Sequence, residues 1–222
     1  MLIYSKYKYL KNYFLKFFNK DKVRSGFTLV ELLVVMSIFT IITTALVIQQ
    51  SKWNDRLQLN TKLYDLALYI RQAQLYSLGV KEYQTGSPID KFNIGYGIYI
   101  NMTNPSQFIF FADTNKNFEY NVGEAVETKT LTNGVTIHRI CGIGIFTGLT
   151  WCSNSFLGQL LIHKTSLSFK RPETSAIMEF INSGNDSTTD LLRQNVTIYL
   201  RSLGGLESSI VVESNGQVSI IQ

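Results

Sequence analysis

Residues 25–48 read SGFTLVELLVVMSIFTIITTALVI, and this stretch decides how the chain is organised. Residues 27–48 are 22 residues with a single charged side chain, that of Glu31. About 20 apolar residues cross the hydrocarbon core of a bilayer as a helix. The stretch therefore predicts one transmembrane helix near the N-terminus.

The residues before this helix are strongly basic. Residues 1–26 hold seven lysines and arginines against one acid, a net charge of +6, and because the whole chain carries +5, residues 27–222 carry −1. Positive residues before a membrane helix predict a cytoplasmic N-terminus, which places the chain after Gln49 across the membrane. A nearly neutral remainder makes DNA an unlikely partner, since DNA affinity depends on neutralising phosphates.

Three interpretations of the apolar stretch compete: a secretory signal peptide, an uncleaved signal anchor, and a precursor that is cut before the apolar residues. A signal peptide has a shorter apolar core, followed by a small-residue cleavage pattern that is not found here. Glu31 separates the other two interpretations. A carboxylate costs about 2.5–3.5 kcal/mol at the centre of a membrane helix and less near its end, and it calls for a cationic partner. A cut after Gly26 would give Phe27 a free α-amine, which a neighbouring subunit would bring to Glu31.

The sequence Ser25 to Glu31, SGFTLVE, resembles the prepilin peptidase site of type IV pilins and type II secretion pseudopilins. The resemblance implies cleavage between Gly26 and Phe27, N-methylation of Phe27, and a role for Glu31 in aligning subunits during assembly. It implies three partners: the prepilin peptidase, other pilins or pseudopilins through the N-terminal helix, and inner-membrane lipid. The expected location is the inner membrane, crossed once, with an extracytoplasmic globular domain that later joins the filament.

The helix is expected to continue beyond the membrane. Residues 27–78 contain neither Gly nor Pro, which permits one helix of about 52 residues, with Gly79 ending it. After the membrane half, an apolar stripe recurs at steps of four and three, which predicts a face packed on the domain's own sheet. The stripe comprises Leu59, Leu63, Leu66, Ile70, Ala73 and Ser77. The opposite face is expected to carry the charged residues Lys52, Asp55, Arg56, Lys62, Asp65 and Arg71.

From about Lys91 onward the pattern changes to strands. Residues 94–100 alternate with a period of two, and further strands are expected at 107–112, 126–131, 135–140, 160–164, 167–170, 176–181, 196–201 and 209–212. The dipeptides Asn133-Gly134 and Asn215-Gly216 predict hairpins. The fold class is therefore α+β and pilin-like, with a long N-terminal helix packed on an antiparallel β-sheet domain. Its predicted parts are a cleaved leader (1–26), the membrane half of the helix (27–48), its amphipathic half (49–80) and a β-rich globular domain (81–222).

Residues 110–124, FFADTNKNFEYNVGE, resemble the acidic turn of the GspH/FimT group of minor pseudopilins. Residues 131–137 and the helix end at 70–75 are similar to the same group. The resemblance implies a minor subunit of a type II secretion pseudopilus or a type IV pilus, in protein secretion or pilus biogenesis.

The acidic turn also spaces its oxygen-bearing side chains as a calcium loop does. Positions 1, 3, 5, 7, 9 and 12 of a twelve-residue loop are Asp113, Asn115, Asn117, Glu119, Asn121 and Glu124. The sixth position is Phe118, where such a loop has Gly. The alternative is a polar hairpin loop in which Asp and Asn make local turn bonds. No other cofactor is expected.

Two cysteines, Cys141 and Cys152, lie close together in the sequence. In an exported domain they would form a disulfide that closes a short loop, and in a reducing compartment they would be two small apolar residues. The two histidines, His138 and His163, lack a nucleophile motif nearby. The chain is therefore not expected to be an enzyme.

An alternative function is that of a DNA-uptake or adhesion module of a type IV pilus. Some FimT-like proteins of competence pili engage DNA through a basic C-terminal region that contains Gly-Arg-x-Arg. The corresponding residues here are Gly216-Gln217-Val218-Ser219, without either arginine. Arg193 and Arg201 are the remaining basic residues of this region considered for DNA.

Overall fold

The computed structural model describes residues 26–79, 82–83, 94–144, 150–153, 162–170, 174–182 and 193–221. The described residues form one long helix and ten strands. Residues Gln49–Gln222 make one compact unit, and Met1–Ile48 make another. The predicted leader, apart from Gly26, lies outside the described residues.

The helix, α1, spans Leu29–Leu78. It begins two residues later than predicted because Thr28 caps it: the Thr28 hydroxyl accepts a hydrogen bond of 3.2 Å from the backbone N–H of Glu31. Thr28 and Glu31 have the spacing of a capping box. The helix ends where the sequence predicts, and the N–H of Gly79 donates to the Leu75 carbonyl at 2.7 Å.

The second half of α1 has two apolar faces. The predicted stripe is buried, with Leu63, Leu66 and Ile70 fully enclosed. The prediction that charges occupy the opposite face is wrong, because apolar side chains stand exposed there: Trp53, Leu57, Tyr64, Leu68 and Leu75. At 3.6 residues per turn these five fall within an arc of about 60°, about 150° away from the buried stripe.

Ten strands form two antiparallel sheets of five strands each. The sequence predicted an antiparallel β-sheet domain but not its division into two sheets. The first sheet has the order β3-β2-β1-β6-β7 and the second has the order β10-β9-β8-β4-β5. In chain order the strands are β1 Gly95–Asn101, β2 Gln107–Asp113, β3 Ala125–Thr130, β4 Thr136–Gly144, β5 Thr150–Cys152, β6 Ile162–Phe169, β7 Ala176–Asn182, β8 Arg193–Arg201, β9 Glu207–Glu213 and β10 Val218–Ile221.

One apolar core joins the second half of α1 to both sheets. Leu63 of the helix, Phe110 of the first sheet and Ile198 of the second belong to the same buried cluster. Hydrogen bonds fix the helix at its far end, where the Ser77 hydroxyl accepts from the Tyr96 N–H at 2.9 Å and Gln74 Nε2 donates to the Gly216 carbonyl at 2.5 Å. The α+β class, with a long helix packed with antiparallel sheets, is confirmed.

Two local predictions are wrong, and one strand was not predicted. Residues 160–164 and 167–170 were expected as two strands, but Ile162–Phe169 is a single strand, because Thr165 and Ser166 are buried in the sheet rather than forming a break. Asn133-Gly134 makes a turn with both φ angles positive, yet it connects β3 of one sheet to β4 of the other and is not a hairpin. The strand Thr150–Cys152 was not predicted, since three residues are too few to show a period.

The Asn215-Gly216 hairpin is confirmed, since β9 and β10 pair antiparallel on either side of it. Gly216 has φ of 86°. A side chain at this position would collide with the Thr174 carbonyl, so the turn needs glycine for its backbone angle and for space.

The two faces of α1 provide a matched test of the packing. Leu63→Ala, which removes a fully buried side chain, is expected to lower the unfolding free energy of residues 49–222 by about 2–5 kcal/mol. Leu68→Ala makes the same chemical change on the exposed face and is expected to stay within about 0.5 kcal/mol of the parent. Urea denaturation measures both variants, and equal losses would contradict the packing described here.

Candidate functional site

The predicted cleavage junction lies in non-helical backbone just before α1. Gly26, Phe27 and Thr28 precede the first helical residue, and the Phe27 side chain is 76% exposed. A Cβ added to Gly26 would meet no atom of the described residues within 4 Å. The described residues therefore leave both sides of the Gly26–Phe27 peptide bond exposed.

Glu31 sits in the first turn of α1, four residues after Phe27. A carboxylate in this position interacts favourably with the positive end of the helix dipole. The neighbouring apolar side chains are exposed, among them Leu29, Leu32 and Val34. The chain has no other acidic or basic side chain between Phe27 and Ser51. Glu31 is thus a lone charge on a segment that offers apolar surface to its surroundings.

The other polar groups of this segment satisfy themselves within the helix. Hydroxyls of Ser37, Thr40 and Thr44 donate to helix carbonyls three or four residues earlier, at 2.7–2.8 Å. Such bonds let hydroxyls lie in an apolar medium without an outside partner. Among the described residues, none donates a side-chain hydrogen bond to the Glu31 carboxylate. Glu31 is therefore the group of this segment that needs a partner from outside.

The exposed apolar face of α1 is a feature that the sequence predictions missed. Trp53 is 72% exposed, Tyr64 57% and Leu75 66%, and they stand eleven residues apart. Eleven residues make almost a whole number of helical turns, so this spacing keeps them on one line along the helix. The sequence carries a signal for this face, since Trp53, Leu57, Tyr64, Leu68 and Leu75 recur at alternating steps of four and seven residues.

The second candidate site is the loop between β2 and β3. Asp113 and Glu124, its two ends, are 1% and 4% exposed. The Asp113 carboxylate accepts the backbone N–H groups of Asn117 at 3.1 Å and Phe118 at 3.0 Å. The Glu124 Oε1 accepts from the Thr114 N–H at 2.9 Å, and its Oε2 accepts from the Asn121 N–H at 2.8 Å.

These bonds bear on the calcium prediction in two opposite ways. Phe118 takes φ of 65°, so the backbone does make the sharp turn that a calcium loop makes with Gly. Glu124, however, directs both carboxylate oxygens at backbone N–H groups of the loop, whereas a calcium loop uses its last Glu as a bidentate ligand. The described residues contain no group of three His, Cys, Asp or Glu side chains that could hold a metal. The geometry favours the polar-turn interpretation, and calcium binding stays a prediction.

The side chains of Asn115, Asn117 and Asn121, which also belong to the calcium prediction, bond locally. The Asn115 Oδ1 accepts from the Asn117 N–H at 3.1 Å, and the Asn117 Oδ1 accepts from the Glu119 N–H at 3.0 Å. Asn121 donates its side-chain amide to the Glu119 carbonyl at 3.2 Å. These are the turn bonds that Asn makes in polar loops.

The loop is anchored on the outer side of the first sheet. The ring centroids of Tyr120 and Tyr99 are 4.7 Å apart, and the Tyr120 N–H donates to the Ser166 hydroxyl at 3.2 Å. The Phe118 carbonyl accepts from the Ser168 hydroxyl at 3.4 Å. The loop therefore covers part of the sheet and has a structural role there.

Cys141 and Cys152 are joined in a disulfide, with their Cα atoms 4.1 Å apart. They are register partners on the neighbouring strands β4 and β5. The bond ties the short edge strand β5 to the second sheet.

The two histidines and Arg201, one of the two arginines of the DNA-binding alternative, have partners outside these sites. His163 Nε2 is 2.8 Å from the Thr103 hydroxyl, and His138 Nε2 is 3.5 Å from a Glu207 oxygen. Arg201 Nε is also paired with Glu207, at 3.4 Å. The Arg193 side chain is outside the described part of the chain. Arg201 thus already has a carboxylate partner within the protein.

Comparison with known proteins bears on the N-terminal site. A family model described as the prokaryotic N-terminal methylation motif matches residues 21–47, which include Gly26, Phe27 and Glu31. This motif indicates a type IV pilin or pseudopilin that a prepilin peptidase processes and that assembles with other pilins. The apolar first part of α1 is long enough to cross a membrane and fits a membrane-anchored pilin. Neither the search of curated proteins nor the search of solved structures found a match.

Calcium dependence can be tested directly on the loop. Because the Glu124 oxygens already accept backbone N–H groups, we expect the melting temperature of residues 49–222 to be the same in calcium and in chelator. A ligand that binds only the folded state would raise the melting temperature with its concentration. A calcium-dependent rise that Glu124→Gln abolishes and Glu119→Gln reduces would establish the calcium loop instead.

Asp113 gives the loop a pH signature. Burial raises the pKa of the Asp113 carboxyl above its ordinary 3.8, although the N–H groups of Phe118 and Asn117 act to lower it. The folded state therefore holds this proton to higher pH than the unfolded state does. Relative to Asp113→Asn, the parent protein is expected to lose stability as pH rises from about 3.8 through the raised pKa. Urea titrations across this range measure the difference, and a parent that gains stability over the variant would contradict it.

Proposed function

We propose that this chain is a minor pseudopilin or pilin of the GspH/FimT kind, assembled into a type II secretion pseudopilus or a type IV pilus. Its role would be structural, in protein secretion or pilus biogenesis, rather than catalytic. The observation that carries the proposal is Glu31, a lone carboxylate on an exposed apolar helix, four residues after an accessible Gly26–Phe27 junction.

The cost of inserting the Glu31 carboxylate into a membrane explains why cleavage at the Gly26–Phe27 junction matters for Glu31. A carboxylate at the centre of a membrane helix costs about 2.5–3.5 kcal/mol to insert, and the cost is smaller for Glu31 because it lies in the first turn of α1. An ammonium 4 Å away gains about 4 kcal/mol at an effective dielectric constant of about 20. Cleavage before Phe27 creates such an ammonium, and methylation leaves its charge in place. A neighbouring subunit that brings its N-terminal ammonium to Glu31 therefore offsets the cost of inserting Glu31.

The exposed face of α1 supports assembly through the helix. Trp53, Leu57, Tyr64, Leu68 and Leu75 present an apolar line on the side away from the protein's own core. Burial of apolar surface contributes about 25 cal/mol per Å². Helices of neighbouring pilins or pseudopilins are the partners we propose for this line, in continuation of their contacts along the apolar first part of α1.

The proposal also assigns an orientation. The basic leader would remain in the cytoplasm until prepilin peptidase removes it, and residues after Gln49 would lie outside the inner membrane. A disulfide between Cys141 and Cys152 is stable in such an oxidising compartment. Inner-membrane lipid would surround the first part of α1 before assembly.

Mass spectrometry of the mature N-terminus tests this proposal. In cells that contain prepilin peptidase, we expect a chain that starts at Phe27 and carries one extra methyl group. Gly26→Val is expected to retain the leader without disturbing the fold, because a Cβ at Gly26 meets no atom of the described residues.

Cells without the peptidase serve as the control and should retain the leader on the parent chain. A parent protein that starts at Met1 in peptidase-containing cells would refute the proposal.

A further inference from the structure

Charged side chains cluster on the face of the second sheet that points away from the core. Arg201 of β8 and Glu207 of β9 are register partners, and Arg139 of β4 is the register partner of Tyr199 on β8. Leu200, between Tyr199 and Arg201, belongs to the buried core. Because side chains alternate along a strand, Tyr199 and Arg201 point to the opposite, outer face.

A β-bulge in β4 brings two consecutive side chains to this cluster. The register between β4 and β8 shifts between Ile137 and Arg139. In a regular strand His138 and Arg139 would point to opposite faces. Here His138 Nε2 lies 3.5 Å from one Glu207 oxygen, and Arg139 Nη2 lies 3.9 Å from the other. Bulges re-aim side chains in this way and are over-represented beside functional sites.

A single carboxylate serves the whole cluster. Besides its contacts with β4, Glu207 pairs with Arg201, whose Nε lies 3.4 Å from the Glu207 Oε1. Two guanidinium groups thus share one negative charge, and the cluster has an excess of one positive charge when His138 is neutral.

The two arginines also have few hydrogen-bond acceptors. A guanidinium carries five N–H donors. Among the described residues, Arg139 and Arg201 approach an acceptor only in the ion pairs with Glu207, at 3.9 and 3.4 Å, which are longer than an ordinary hydrogen bond. The Arg139 Nε is buried, and it has no hydrogen-bond partner among the described residues. The cluster therefore has donors to spare for a further anion.

Tyr199 holds the Arg139 guanidinium in a defined position. The Arg139 Cζ lies 3.9 Å from the centroid of the Tyr199 ring. A guanidinium that stacks on an aromatic ring keeps its edges free for acceptors, and these edges match the two oxygens of a carboxylate. The side chains of Arg139 and Arg201 are 34% and 46% exposed, so a ligand can reach both.

The charge and the shape of this face favour a carboxylate on a polypeptide. An excess of one positive charge suits one carboxylate, whereas a nucleic acid presents a row of phosphates that needs several cationic groups. Small-molecule sites are concave, and these residues lie on the face of a sheet. Along the same row of register partners, Tyr199 pairs with Ser209, and Ser209 pairs with Ile221, which is 57% exposed. An extended segment could therefore contact an apolar side chain beside the arginines.

We propose that Arg139 and Arg201 bind a carboxylate side chain in an acidic segment of a partner protein. Their site, here named the arginine site, comprises Arg139, Tyr199, Arg201 and Glu207. Tyr199 orients Arg139, and Glu207 occupies the guanidinium groups when the partner is absent. This inference goes beyond the proposed function and does not depend on it, because it uses only residues of the second sheet.

An NMR titration of the full chain tests the arginine site. The isotope-labelled chain is held in micelles of a neutral detergent, and the probe is a hexaglutamate peptide. We expect saturable shifts of the backbone amide signals of Tyr199 and Arg201, and none with hexaglutamine. Because each residue is observed separately, this measurement distinguishes the arginine site from the basic leader, which also attracts an acidic peptide.

Three variants show which charges bind the probe. Arg139→Gln combined with Arg201→Gln is expected to raise the Kd at this site at least about tenfold, since charge-assisted hydrogen bonds are lost. Arg56→Gln removes an exposed arginine of α1 and should leave the Kd unchanged. Glu207→Gln should lower the Kd about threefold, because it removes the competing negative charge. A variant that merely disturbed the fold would not bind the probe more tightly.

Several outcomes would overturn the inference. These are shifts confined to the leader, an equal loss of binding in Arg56→Gln and in the double variant, and weaker binding after Glu207→Gln. A second probe, oligothymidylate, tests the chemical class of the ligand. Tighter binding of oligothymidylate than of hexaglutamate at Tyr199 and Arg201 would refute a carboxylate site in favour of a nucleic-acid site.

Discussion

The structure depends on apolar surface of α1 that the described residues do not cover. The two sheets enclose one stripe of the helix, including Leu63 and Ile70. The described residues leave the first part of the helix exposed, and they leave a second line from Trp53 to Leu75 exposed as well. Because exposed apolar surface on this scale marks contact with a membrane or another protein, the fold itself calls for both. A membrane-anchored subunit that later packs against other helices meets this demand.

Much of the fold could be predicted because its signals are local. The absence of Gly and Pro from residues 27–78 predicted the long helix, and the Asn215-Gly216 dipeptide predicted the last hairpin. The assignment of strands to two sheets could not be predicted, because Asn133-Gly134 adopts the backbone of a hairpin turn while its two strands join different sheets. Which strands pair is decided by the packing of distant residues on α1, and local sequence carries little of that information.

The candidate sites also differ in how far the sequence alone could predict them. Gly26, Phe27 and Glu31 could be found from sequence, since a lone charge in an apolar segment is conspicuous and its spacing from the junction is fixed. The loop from Asp113 to Glu124 could be located but not interpreted, because identical oxygens serve a cation or backbone N–H groups according to the direction in which they point.

The central claim is that Glu31 receives its cationic partner from the processed N-terminus of a neighbouring subunit. Carbodiimide cross-linking of assembled filaments, followed by mass spectrometry, tests this directly, because it joins a carboxylate only to an amine in contact with it. The account predicts a peptide in which Glu31 is bonded to the N-terminal methylphenylalanine of another subunit, and Glu31→Gln should abolish it. Glu31 bonded only to the Phe27 amine of its own chain, or to lysine side chains alone, would contradict the account.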